Sequence, residues 1–252
     1  MARIMEIVKY TNELLNCSIF NDYCPNGLQV EGRPEVNKLV SGVTANLALV
    51  TSAMENGADT ILVHHGYFWR GENPCITGMK RQRLQILLDA DVNLLAYHLP
   101  LDAHPDYGNN AQLARILNFK RLGTFGQGSG PDIGMFGELA SPMAGEQFAD
   151  FIESRLVRPP LYISGDDRLI KTIGWCTGAA QNYIEQAADL GLDAFLTGEA
   201  SEPTVHIARE MGIHFFAAGH HATERYGVQA LGEHLAEKFG ITHQFIEIDN
   251  PV

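Results

Sequence analysis

The segment KLVSGVTANLALVTSAMENGADTILVHHG, from Lys38, is echoed by KTIGWCTGAAQNYIEQAADLGLDAFLTGEA, from Lys171. This internal repeat constrains the fold more than any other feature of the chain. Each copy opens with a short apolar strand that runs to a threonine, Thr44 or Thr177. A helix follows, with apolar residues at helical spacing: Leu47, Val50 and Met54 in one copy, Tyr183, Ile184 and Ala187 in the other. Each helix closes near a glycine, Gly57 or Gly191, where a C-cap is expected. A second strand comes next, at 61–63 or 194–196, then another helix and a third strand, at 92–97 or 213–218. Strands and helices alternating at this spacing are βαβ units with parallel strands.

The expected fold class is therefore α/β, with two related α/β halves arising by internal duplication. The first half is expected at 1–125, completed by a C-terminal strand at about 240–252 (HQFIEID), and the second at 126–239. The Gly-rich stretch LGTFGQGSGPDIG, 122–134, reads as the link between halves or an exposed loop. Pro131 breaks any GxGxxG pattern there, so a dinucleotide fold has no support.

The 252 residues are 45% hydrophobic and 19% charged, ordinary for a globular chain with ample core material. A net charge of −12 argues against broad nucleic-acid binding, which needs excess Lys and Arg. It does not argue against an anionic small molecule, because bound metal ions dominate local charge. Cys17, Cys24, Cys75 and Cys176 show no CxxC spacing and suit a reducing compartment. The N-terminus carries Ile4, Ile7, Val8, Thr11, Leu14 and Leu15 at amphipathic spacing, unlike a signal peptide. No apolar run approaches the ~20 residues a membrane helix needs, so the expected location is the cytoplasm.

Every unusual polar residue falls at the C-terminal end of an expected strand, where open α/β sheets place their ligands. His64 and His65 end the run ILVHHG, His98 and Asp102 follow the next strand, and His220, His221 and Glu224 follow the last. A histidine precedes a carboxylate by four residues in both HLPLD and HHATE. Neighbours on a strand point to opposite faces, so His64 and His65 most easily serve two ions, or one ion where the strand has ended. Imidazole with carboxylate suits Zn, Fe, Mn or Ni. This many candidates is enough for two divalent ions sharing a bridging group, held in the cleft between the halves.

Other signals are weaker. Asp22, Tyr23 and Asn26 in NDYCPNGLQVEG read first as turn chemistry. Arg70, Lys80, Arg81 and Arg83 are the densest basic cluster, either a phosphate contact or a solvated face. Cys176, within a strand, reads as a core residue rather than a nucleophile. There is no G-x-S-x-G elbow and no P-loop.

Taken together, DYCPNGLQVEG, GVTA, GADTILVHHGYFW, HLPLDAHPDYGNNAQLA, DAFLTGE and AAGHHATER resemble the Nif-three-like family of di-metal proteins, whose bacterial members are called GTP cyclohydrolase I type two homologs. The resemblance covers essentially the whole chain. It implies a dinuclear centre with ligands His64, His65, Asp102, His220 and Glu224, and leaves His98 and His221 to orient a ligand or move a proton. It also implies a toroidal homohexamer and a metal-dependent hydrolase acting on a nucleotide or related small molecule, with GTP-like ring opening as the most specific version. The alternative is a regulatory or scaffolding ring that uses metal without turnover.

Overall fold

Alternating apolar residues along Lys38–Thr44, Thr60–His65 and Asn93–Ala96 divide cleanly between two cores. Leu39, Leu62 and Leu95 enter one, and Val40, Ile61, Val63, Leu94 and Ala96 enter the other. Strands buried on both faces in this way are what a parallel sheet between helical layers requires. The computed structural model describes residues 2–126 and 130–252, and the chain folds as two compact units, 1–108 with 227–249 and 109–226 with 250–252.

In the first unit the sheet order is Thr242–Phe245, Lys38–Thr44, Thr60–His65, Asn93–Ala96, Gly27–Val30, with only the last strand antiparallel. The C-terminal strand lies parallel to Lys38–Thr44, with Thr242 opposite Lys38. One face is covered by the N-terminal helix Ile4–Leu14 through Ile4, Ile7 and Val8, and by Val228, Leu231 and Leu235 of the helix His220–Phe239. The other face is covered by Leu47–Glu55 and Gly78–Asp89. Leu47–Glu55 starts where the Asn46 side chain accepts the Leu49 N–H, the ordinary N-cap arrangement, and is followed by Gly57 at φ 67°.

The second unit runs Lys120–Phe125, Gly134–Met143, Ile170–Trp175, Ala194–Thr197, His214–Ala217, Leu161–Ile163, with the third to fifth strands parallel. Ile173, Trp175, Leu196 and Phe216 enter one core, and Phe195, Phe215 and Cys176 the other. Cys176 is thus a core residue, as expected, although the strand ends one residue before it. The Gly-rich stretch differs from the loop reading in part. Its residues as far as Phe125 lie in a strand, and 127–129 fall outside the described residues. Gly123 is there because a side chain would run into the Phe136 ring on the paired strand, not because the chain turns.

The two units share a central three-strand arrangement and differ beside it, where the first adds one parallel strand and the second two antiparallel ones. Each has three parallel strands joined by helices and an antiparallel edge strand beyond the third. Each also has one aspartate at the start of its middle strand that holds the start of the first. Asp59 accepts the N–H groups of Asn37 and Lys38 at 2.8 and 3.0 Å, and Asp193 those of Lys171 and Thr172 at 3.0 and 2.8 Å. Among the described residues no helix is long and apolar enough to cross a membrane.

Candidate metal centre

In the first unit the strand ends bring His64, His65, His98 and Asp102 together. The His64 and His65 rings are 4.5 Å apart between centroids, and His98 lies 5.0 and 5.8 Å from them. His64 is fully buried and faces the buried Asp102 carboxylate, Nε2 to Oδ1, at 3.5 Å. In the second unit His220 opens the helix His220–Phe239 and meets Glu224 one turn on, Nε2 to Oε2, at 3.1 Å. His221 is buried beside it, and its backbone N–H donates to the Val252 carbonyl.

The informative feature is the other nitrogen of each ring. His64 Nδ1 donates to the Tyr97 carbonyl at 2.9 Å, and His98 Nδ1 to the Asp22 carboxylate at 2.7 Å. His220 Nδ1 donates to Glu199 at 2.6 Å, and His65 Nδ1 shares a hydrogen bond with the Thr44 hydroxyl at 3.1 Å. Metal-ligating histidines carry this signature: an acceptor on one nitrogen sets the tautomer and directs the opposite nitrogen to the ion. Each acceptor also comes from a strand end or from the loop beside one.

These residues fit a divalent cation. Two ligands about 2.1 Å from a tetrahedral ion lie about 3.4 Å apart, close to the His64–Asp102 and His220–Glu224 separations of 3.5 and 3.1 Å. Gly178, at φ 69°, lets these two side chains approach the backbone: a Cβ there would overlap Glu224 Oε1 and come within 3.2 Å of His220 Nε2. Burial disfavours a charged His220, but Glu224 and then Glu199 outweigh it and raise the imidazole to about 9. The two carboxylates around the ring therefore favour positive charge at this position.

Asp22 was read first as a turn residue, and it is one, accepting from Tyr23 N–H and the Asn26 amide. It also accepts Leu99 N–H and anchors His98. Burial would raise its carboxyl, but the His98 hydrogen bond leads the contacts that hold it below the usual range. Asp22 also lines a cavity of about 690 Å³ with Asn12, Asn16, Cys17, Cys24 and Asn26.

Trp69 packs edge-on against His98 at 5.0 Å and beside His65 at 5.9 Å, a neighbour nothing in the spacing announced. The basic cluster divides. Arg70 ties Asn21 and the Asp22 carbonyl to its own loop, and Lys80 pairs with Glu72 at 2.5 Å. Both cations thus hold loops in place.

The sequence profile described as Duf34/NIF3 (NGG1p interacting factor 3) matches residues 2–251. The chain is 56% identical over 245 residues, 97% of each chain, to the GTP cyclohydrolase 1 type 2 homolog of Pseudomonas aeruginosa. A solved structure described as protein ybgI, of unknown function, superposes with TM-score 0.95 at 50% identity over all of both chains. TTHA1606 from Thermus thermophilus does so with TM-score 0.90 at 32% identity, again over all of both chains.

Proposed function

Since the chain belongs to the Duf34/NIF3 family, we propose that it is a dinuclear metal-dependent hydrolase acting on a nucleotide or a related small molecule. The proposed ligands are His64, His65, Asp102, His220 and Glu224, holding two divalent ions from the set Zn, Fe, Mn and Ni. The observation that carries the reading is the hydrogen-bond partner on Nδ1 of each imidazole, which leaves the Nε2 lone pair for an ion. When bound, such ions supply the Lewis acidity that makes water a nucleophile near neutral pH.

The chain's own residues do the rest. Asp22 keeps the His98 proton on Nδ1, so Nε2 is the nitrogen that accepts a proton or a substrate N–H. Glu199 likewise holds the His220 proton on Nδ1, which leaves Nε2 for an ion. Trp69 covers one side of His65 and His98 with an apolar ring, which limits water there. Assembly as a toroidal homohexamer belongs to the same proposal, as does descent of the two halves from one duplicated unit. The common three-strand arrangement and the Asp59 and Asp193 anchors support that descent.

The test is elemental analysis of purified protein beside a turnover screen of metal-reconstituted protein against nucleotides, GTP and oxidised purines included. His64→Ala and Glu224→Gln are expected to hold less metal than the parent while staying folded, and Glu224→Gln to lose turnover. Parent stoichiometry in either variant would refute the ligand set. Full metal loading with no turnover of any nucleotide would refute the hydrolase and leave the regulatory ring.

A further inference from the structure

We infer that Trp69 and Tyr23 are the contact surface for a planar heteroaromatic ring of the substrate, and that His98 Nε2 accepts an N–H from the edge of that ring. Resting on the hydrolase reading above, this names the class of molecule that lies beside the ions: a flat nitrogen heterocycle with a lactam-type N–H.

Three aromatic residues in a row, Tyr67, Phe68 and Trp69, follow the strand that ends in His65, and only the first serves the core. Tyr67 is 4% exposed, and its hydroxyl donates to the Ala45 carbonyl at 2.8 Å. Phe68 is exposed and stands at φ 64°, a left-handed backbone that is costly for a bulky side chain. Strain of this kind gathers at functional sites. Trp69 then lies 5.9 Å from the His65 ring and 5.0 Å from the His98 ring. Its indole N–H donates to the Gly66 carbonyl at 3.2 Å, which fixes the ring, and the side chain is only half-buried.

Tyr23 reaches the same histidine from a different loop, at 6.3 Å, and is 58% exposed. Its N–H donates to Asp22 at 2.6 Å, its carbonyl accepts the Arg70 N–H at 2.7 Å, and the Arg70 guanidinium lies 5.9 Å from its ring centre. Both rings meet His98 edge to face, at 83° and 66°. Neither Trp69 nor Tyr23 belongs to a core cluster. Fixed aromatic faces left open to solvent at a site are stacking surfaces for flat rings.

His98 supplies the polar contact. Its Nδ1 is held by Asp22 and its backbone N–H by Asn26, and among the described residues nothing hydrogen-bonds its Nε2. With the proton on Nδ1, Nε2 is an acceptor, so it pairs with a ring N–H. A sugar or an aliphatic chain offers no face for Trp69, and a ring without an N–H offers nothing to Nε2.

The test uses the full metal-reconstituted chain and three probes: inosine, 1-methylinosine, which lacks the ring N–H, and ribose, which lacks the ring. Of the two tryptophans, Trp175 is fully buried in the second unit, so a fluorescence change reports Trp69. Inosine is expected to quench that fluorescence, 1-methylinosine to bind several-fold more weakly, and ribose to leave it unchanged. By equilibrium dialysis, Trp69→Leu should weaken inosine on the order of 5–100-fold, whereas Trp69→Phe keeps most of the affinity. Tyr23→Leu should weaken it several-fold, and elemental analysis should find parent metal content in all three variants. Undiminished inosine binding in Trp69→Leu, equal quenching by ribose, or no inosine binding to the parent would overturn the inference. Loss of metal from Trp69→Leu would also overturn it, by making Trp69 a shield for the ions. The hydrolase reading is judged separately: it survives each of these results if the parent turns over a nucleotide, and it fails if the metal-loaded parent turns over none.

Discussion

Replacing Gly178 with alanine tests whether an ion depends on the Glu224 carboxylate standing where it does beside His220. Gly178 has φ 69°, and its added Cβ would overlap Glu224 Oε1. Two costs follow. An alanine held in the left-handed region costs about 1–2 kcal/mol. Displacing the Glu224 carboxylate, which is 3% exposed, from its 3.1 Å contact with His220 costs about 1.5–3 kcal/mol more. Gly191 is the control, because its φ is 71° and a Cβ there meets nothing within 4 Å. Gly191→Ala therefore carries the backbone cost alone. At about 2–4 °C per kcal/mol for a chain of this size, its melting temperature should fall by about 2–8 °C. Gly178→Ala should fall by about 5–20 °C on the same scale. The decisive readout is calorimetric metal titration. Gly191→Ala should match the parent, and Gly178→Ala should bind at least tenfold more weakly. Parent affinity in Gly178→Ala would refute the reasoning, and equal metal loss in both variants would assign the effect to backbone strain instead.

Two further outcomes are expected. With His220 raised to about 9, its charged-state stabilisation is fully present below about pH 6.5, the unfolded value, and is lost as pH rises through about 9. The unfolding free energy of metal-free protein, measured with denaturant, should therefore fall across that window by at most on the order of 2–3 kcal/mol, and less in Glu199→Gln; a flat profile in the parent would contradict this. Asp193→Ala removes the acceptor for Lys171 N–H, Thr172 N–H and the Thr172 hydroxyl, so it should cost about 2–3 kcal/mol in denaturant unfolding. Burial opposes ionisation of Asp193, but the Thr172 and Lys171 N–H groups hold its carboxyl below the usual range. Its contribution is therefore present above the ordinary carboxylate value and lost as pH falls through the lower folded one. An unchanged unfolding midpoint would dismiss the anchor.

Much of the scaffold was legible because it is local. The Ile4, Ile7, Val8 spacing marks a buried helix face, and Gly57 and Gly191 stand just past their helices with positive φ. The C-terminal strand was legible as a strand, and its partner, Lys38–Thr44, is some two hundred positions away. Within 122–134 glycine signals a turn and a close aromatic contact equally well, and only Phe136 on the neighbouring strand separates them at Gly123. Asp22 was seen only in its local role, since its turn hydrogen bonds lie within a few residues and His98 does not.

The linear order of residues by itself determined the strand and helix periods, the glycine caps and the placing of imidazoles and carboxylates at strand ends, since each depends on neighbours within a turn or two. Only the tertiary structure decided which nitrogen of each ring is held by a hydrogen-bond partner and which is left to face its neighbours in the cluster. That choice belongs to the acceptor behind the ring: Tyr97 for His64, Asp22 for His98, Glu199 for His220. Such acceptors come from other strand ends and loops, and a hydrogen bond between distant segments leaves no period in the sequence.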